Sequence, residues 1–156
     1  MRVEVWCIGK TSEAYLQTGI ELYAKRLPHY LPFEWVVLPL PKVRNTDGRQ
    51  MSLEEGKLIL SKLQPDDFLV LLDERGKQFS SVTFSKWMEQ QLASSRKRIV
   101  FLIGGAFGFS EAIYQRANGQ ISLSAMTFSH QMIRLFFLEQ LYRAMTILRG
   151  ESYHNE

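Results

Sequence analysis

Cysteine is nearly absent: Cys7 is the only one in 156 residues, so no internal disulfide can form and a disulfide-stapled secreted scaffold is excluded. It lies in a strand-like stretch and reads as a small core residue in a reducing compartment. The three histidines and this cysteine stand at no metal-ligand spacing, so no metal site is expected. No uncharged run is both long and apolar enough to span a bilayer, and Met1 leads straight into RVEVWCI rather than a secretory leader. The expectation is a cytoplasmic protein without a membrane partner. Internal repeats and low-complexity segments are also missing. Neither sign of charge is scarce: 19 Lys and Arg against 16 Asp and Glu leave +3, a mild basicity that suits RNA without requiring it. The length predicts one domain over residues 1–156 with a substantial core.

What is present is alternation of strand and helix. RVEVWCI (2–8) and FEWVVL (33–38) have period-two or β-branched character, and FLVLLD (68–73), RIVFLI (98–103) and QISLS (120–124) are short apolar runs of the buried-strand kind. Between them Leu16, Ile20, Tyr23 and Leu27 repeat at helical spacing after Ser12. Ser52 with Glu55 has the form of a capping box ahead of LEEGKLILSKL. Phe84, Trp87, Met88 and Leu92 make a third stripe, and Ser110 is placed to cap EAIYQRA, which ends at Asn118-Gly119. The pattern predicts an α/β fold, a mainly parallel sheet flanked by helices. Residues 39–50 form the one long, mobile-looking loop.

The last helix is apolar most of the way round, with twelve apolar residues in the nineteen from Gln131 to Arg149. Met132, Leu135, Phe136 and Tyr142 cannot share a narrow face with Ile133, Phe137, Leu141 and Ile147, and a helix of this kind is buried on more than one side. A homodimer through this helix is expected, with Phe137 and Leu141 as candidate partner-facing residues; a central helix in a monomer is the alternative. Glu139 and Arg143 have i,i+4 spacing.

IGGAFGFSEAI (103–113) follows an apolar run and opens a helix. It lacks G-x-G-x-x-G, and no Gly-Lys-Ser/Thr follows, so it is neither a dinucleotide fingerprint nor a Walker loop. As a bare pattern such glycines indicate only a tight turn. Its position raises a ligand reading, because ligands in open α/β sheets bind beyond the carboxyl ends of strands. LLDERGK (71–77) and SLSAMTFSH (122–130) would emerge at the same edge. Leu72, Phe107, Leu123, Met126 and Phe128 would then line an apolar slot suited to a flat purine read by main-chain hydrogen bonds.

LDERGK, FLIGGAFGFS and SLSAMTFSHQMIRLFFLEQLYRAMTILRGESYHNE together resemble the ribosomal large-subunit methyltransferase H family, within the SPOUT (trefoil-knotted) methyltransferases, over essentially the whole chain. The resemblance implies S-adenosylmethionine as methyl donor, a homodimer, and a carboxyl-terminal trefoil knot around the cofactor. It implies as substrate the N3 position of a pseudouridine in a 23S rRNA hairpin loop of the assembled ribosome. Leu72, Gly104, Gly105, Leu123, Ser124, Ala125, Met126, Thr127 and Phe128 fall on the family's cofactor-contacting positions. Ser129 stands where many members have proline, and can still cap the last helix.

A sulfonium donor carries its own leaving group, so the protein must align donor and acceptor and assist loss of the imide proton. His130, beside the cofactor loop, could act there or simply be a polar residue of the cap region. Tyr153 offers a stacking face and His154 a group titrating near neutrality, in a tail matching the family's Tyr-His-x-Glu ending. Arg143 could hold a phosphate or base oxygen, or pair with Glu139. Lys42, Arg44, Arg49, Arg75, Lys77, Arg96, Lys97 and Arg98 are the basic candidates for RNA. Two other functions fit the residues less well: a flavodoxin-like oxidoreductase, with Gly9-Lys10-Thr11-Ser12 as a faint phosphate loop, and an inert ribosome-binding factor.

Overall fold

A computed structural model describes residues 1–43 and 47–155. Five parallel strands, β1 (Arg2–Ile8), β2 (Phe33–Leu38), β3 (Phe68–Gln78), β4 (Arg98–Ile103) and β5 (Gly119–Ser122), lie in the order β2-β1-β4-β3-β5. The helices are α1 (Ala14–Arg26), α2 (Gly48–Lys62), α3 (Ser81–Leu92), α4 (Glu111–Arg116) and α5 (Met132–Leu148), with a 3-10 turn at Leu27–His29. The α/β expectation holds.

Period-two alternation along the buried strands sends side chains into two cores. Val3, Val5, Cys7, Ile99, Phe101 and Ile103 meet α1, α3 and α5 through Ile20, Met88, Phe137 and Leu141. Trp6, Ile8, Leu69, Leu71, Val100 and Leu102 meet Ile59 of α2 and Ile113 of α4 on the other face. Cys7 is fully buried, and burial pushes its thiol pKa up to about 11, which fits a core residue.

Several expectations need correction. Ser52 and Glu55 form no capping box, because α2 begins earlier: Asp47 is the N-cap and accepts from Arg49 N at 3.0 Å, while Ser52 Oγ donates within the helix to Arg49 O. Part of the expected long loop is therefore helix, and residues 44–46, with Arg44, lie outside the described residues. Glu13, not Ser12, precedes α1. Ser110 holds the N-cap position of α4, but its side chain makes no capping bond. Strand β3 does not stop at Asp73 but continues to Gln78. Phe137 and Leu141 are fully buried against the chain's own sheet, so neither faces a partner. The outer side of α5 instead carries Phe136, which is 38% exposed, with half-buried Met132 and Ile147, while Leu135 and Tyr142 pack sideways against α1 through Gly19 and Tyr23.

Topology also separates this sheet from a flavodoxin. That fold has strand order 2-1-3-4-5, whereas here β4 and β3 are exchanged. The 9–12 loop is no phosphate cradle either. Fully buried Arg134 reaches into it, donating to Ile8 O (2.7 Å), Gly9 O (2.8 Å) and Thr11 Oγ1 (3.1 Å), and Gln131 Oε1 accepts from Ser12 N.

Candidate active site

At the carboxyl edge of β3, β4 and β5, the segments that follow these strands enclose an open cleft of about 590 Å3, a size typical of small-molecule sites. The shape of β3 creates part of it. Its pairing with β5 breaks between Leu72 and Lys77, so residues 73–76 leave the ladder and carry Asp73, Glu74 and Arg75 to the cleft. Gly76 permits this excursion: a Cβ there would come within 2.6 Å of the main chain of Gln120 and Ile121.

Leu72, Gly104, Gly105, Leu123, Ser124, Met126, Thr127, Phe128 and His130 all line the cleft. Ala125 is exposed and does not line it, and neither does Phe107, whose ring lies against Gly48 at the start of α2. Phe109 takes the place expected of Phe107, with its ring edge-on to Tyr114 at 5.7 Å. The wall from β5 to α5 is braced internally: Ser122 Oγ donates to Ser124 O (2.8 Å), Ser124 Oγ accepts from Met126 N (3.0 Å), and Thr127 Oγ1 donates to Glu74 (3.0 Å). Gln131 holds the N-cap position of α5, and Ser129 Oγ, two residues earlier, accepts from Met132 N at 3.0 Å and so satisfies the first N–H of the helix.

Charge at the mouth is arranged around Asp73. Burial alone would raise this carboxyl. The Tyr114 hydroxyl and the main chain and guanidinium of Arg75 all donate to it, however, and together hold it below the usual range. Arg75 also lies over the Tyr114 ring at 4.8 Å. Burial, with Arg134 nearby, lowers the pKa of His130, so its ring favours the neutral form able to accept a proton.

The tail residues form a second cluster. Glu139 Oε1 accepts from Arg143 (2.6 Å) and from the Tyr153 hydroxyl (2.9 Å), and Arg143 Nη1 meets His154 Nδ1 at 3.1 Å. Tyr153 packs edge-on against Tyr142 at 4.9 Å, and burial with Tyr23 and Glu139 holds its phenol protonated. The tail is thus docked along its own helix through Tyr153 and His154, with Glu156 outside the described residues. Arg143, Tyr153 and His154 do not line the cleft, and Arg143 stands about 15 Å along α5 from Ile133 at 1.5 Å per residue. Within one chain the four residues singled out for chemistry therefore divide: His130 at the cleft, the other three at the far end.

The family described as Predicted SPOUT methyltransferase matches residues 1–154. The chain belongs to that family. A Cytophaga hutchinsonii protein named Ribosomal RNA large subunit methyltransferase H is 53% identical over 155 residues, covering 99% of this chain and 100% of that protein. Proteins of the same name from Parabacteroides distasonis and Bacteroides fragilis are 53% and 48% identical over 157 residues, spanning both chains completely. The methyltransferase H resemblance seen in LDERGK, FLIGGAFGFS and the segment from Ser122 onward, over essentially the whole chain, is thereby shown.

In this SPOUT chain, sequence reasoning missed Asp73, Tyr114 and Phe109 at the cleft, and Glu55 and Arg134 behind it. The one available signal for Arg134 was a charged residue inside an otherwise apolar helix; Glu55 was hidden by its false capping spacing. Of the basic candidates, Arg98 is structural, bonded to Asp67 and Glu4, and Arg96 lies 4.0 Å over Phe68. Arg75 is at the cleft, and Lys77 sits 5.0 Å over Phe79. Among the described residues no group of His, Cys, Asp and Glu could hold a metal ion, and no helix is long and apolar enough to cross a membrane.

Proposed function

We propose that this chain is an S-adenosylmethionine-dependent methyltransferase of large-subunit ribosomal RNA, acting on N3 of a pseudouridine in a 23S hairpin loop of the assembled ribosome. It works in the cytoplasm, as one domain per subunit of a homodimer, with the knot of its family. The observation that carries the reading is the cleft itself: glycines 104, 105 and 108 beside small residues and half-buried apolar side chains, with no lysine for a phosphate. Full-length relatives named rRNA methyltransferases supply the substrate class.

The residues present fit the donor. A Cβ at Gly104 would stand 3.1 Å from the Phe109 ring, and one at Gly105 would meet Glu55 at 2.2 Å behind the turn, so the glycines let this turn pack closely between the cleft and α2. Leu72, Gly104, Gly105 and the 123–128 segment would hold the ligand, whose sulfonium supplies a methyl group with a built-in leaving group. His130, neutral and at the cleft, can take the imide proton. Arg143, Tyr153 and His154 belong to the acceptor side. A terminal helix at a two-fold interface carries its downstream tail to the partner, and the 15 Å gap within one chain is bridged when the partner's tail faces this cleft.

Calorimetric titration with S-adenosylmethionine, followed by methyl transfer to ribosomes lacking the modification and mass analysis of the nucleotide, tests the reading. A protein that binds ribosomes but not the donor would instead be an inert ribosome-binding factor.

A further inference from the structure

Glu55 is a buried acid without a function in the fold. It sits in the middle of α2, 4% exposed, and its Oε2 has no hydrogen-bond partner among the described residues. Ile8, Ile59, Ile113 and Phe109 surround the crevice it occupies, and among the described residues lining that crevice there is no lysine, arginine or histidine. Ser52 is adjacent, but its hydroxyl donates to Arg49 O. Burial accordingly pushes the carboxyl pKa up. An unpartnered buried acceptor is destabilising, and leucine would fill such a crevice without that penalty.

The crevice shares a wall with the cleft. Gly104, Gly105, Gly108 and Phe109 line both, so the glycine turn separates the carboxyl from the ligand space by one thickness of main chain. Contact is close, since a Cβ on Gly105 would stand 2.2 Å from Glu55 Oε1. The turn is drawn shut by Gly108 N donating to Gly105 O at 3.2 Å, at the long end of the usual N–H···O range.

We propose that Glu55 is the positioning residue of the donor loop: when the donor enters the cleft, the 104–108 turn settles onto α2 and one of its main-chain N–H groups donates to the unpartnered Oε2. This rests on the reading of the cleft as an adenosylmethionine site. Glu55 itself does not touch the donor; it fixes the turn that does. An N–H donor brought to Oε2 favours the ionised form that burial disfavours, and such a charge-assisted bond is about twice as strong as a neutral one, so the acid holds an interaction realised on binding.

The test uses the full chain, S-adenosylmethionine and two variants. Glu55→Leu should fold, bind the donor about tenfold more weakly, as expected for one lost charge-assisted hydrogen bond, and keep kcat at saturating donor. Glu55→Gln, which retains an acceptor oxygen, should recover most of the affinity. In the wild-type protein, adding the donor should slow exchange of at least one amide among residues 104–108, and this slowing should vanish in Glu55→Leu. A folded Glu55→Leu with wild-type affinity overturns the proposal. So does wild-type protein that binds the donor with no slowed amide in the turn, a result readable even if Glu55→Leu fails to fold. Failure of wild-type protein to bind the donor at all would overturn the reading of the cleft instead.

Discussion

One methyl group added at Gly105 should destabilise the protein, and removing Glu55 should cancel the effect. The new Cβ would stand 2.2 Å from Glu55 Oε1, 2.9 Å from Oε2 and 3.2 Å from Cδ. A relaxed contact needs roughly 1 Å more than the shortest of these, and Glu55, at 4% exposure, has little room to retreat. Overpacking of this kind costs about 1–3 kcal/mol, against which the loss of glycine's unfolded-state freedom returns about 0.4–1 kcal/mol. Gly105→Ala should therefore lower stability by about 1–2 kcal/mol, roughly 2–8 °C in Tm for a chain of this size. In a Glu55→Ala background the added methyl has space, so its cost should fall to nearly zero. Urea denaturation of the four proteins completes a double-mutant cycle. The coupling should exceed about 1 kcal/mol; two effects that add within about 0.5 kcal/mol would refute the packing of the turn on α2.

Other outcomes follow from burial and charge. Phe137→Asp or Leu141→Asp should abolish the fold by burying an unpaired carboxylate, whereas the wild type should sediment as the proposed dimer and Phe136→Asp should stay folded and sediment as a monomer. Glu55→Gln should gain stability relative to wild type as pH rises from 5 to 8. The raised carboxyl pKa favours the folded state fully only below the unfolded value of about 4.3, and that contribution is lost as pH climbs through the folded value; a gap that stays constant with pH in chemical denaturation would contradict this. Deleting residues 152–156 should leave donor affinity nearly intact while methyl transfer to ribosomes collapses. Mixing that truncation with a Gly104→Val subunit should restore part of the activity, and inactive mixed dimers would show that the tail does not act across the interface.

Strands β1, β2 and β4 were legible because their alternation or unbroken apolar character continues to their ends. β3 was not, because DERGK reads as a turn by composition, and only its pairing with β5 on both sides of a bulge keeps it in the sheet. The cleft was largely legible, since three strands of a parallel sheet must end at one edge. Its inner support was hidden, since Glu55 and Phe107 each fit a plausible local role that tertiary packing overrode. The two-sided apolar character of α5 was real, but which residues face inward depends on where α1 and α3 sit. Periodicity alone could not assign that.

Arg134 shows how the two ends of the chain are made to cooperate. A guanidinium at 0% exposure with no carboxylate beside it among the described residues is expensive, and burial lowers its pKa accordingly. Its donors are spent on main-chain carbonyls of Ile8 and Gly9, on the Thr11 hydroxyl and on His130 O (3.3 Å). Those partners belong to the end of β1, the loop after it, and the residue at the cleft just before α5. A methionine of similar length would spare the desolvation but leave the carbonyls of Ile8 and Gly9 without these donors, at about 1–3 kcal/mol each. The arginine therefore bolts the first turn of α5 to the end of β1. That placement fixes His130 at the cleft, and with it the direction in which α5 carries Arg143 and the tail away.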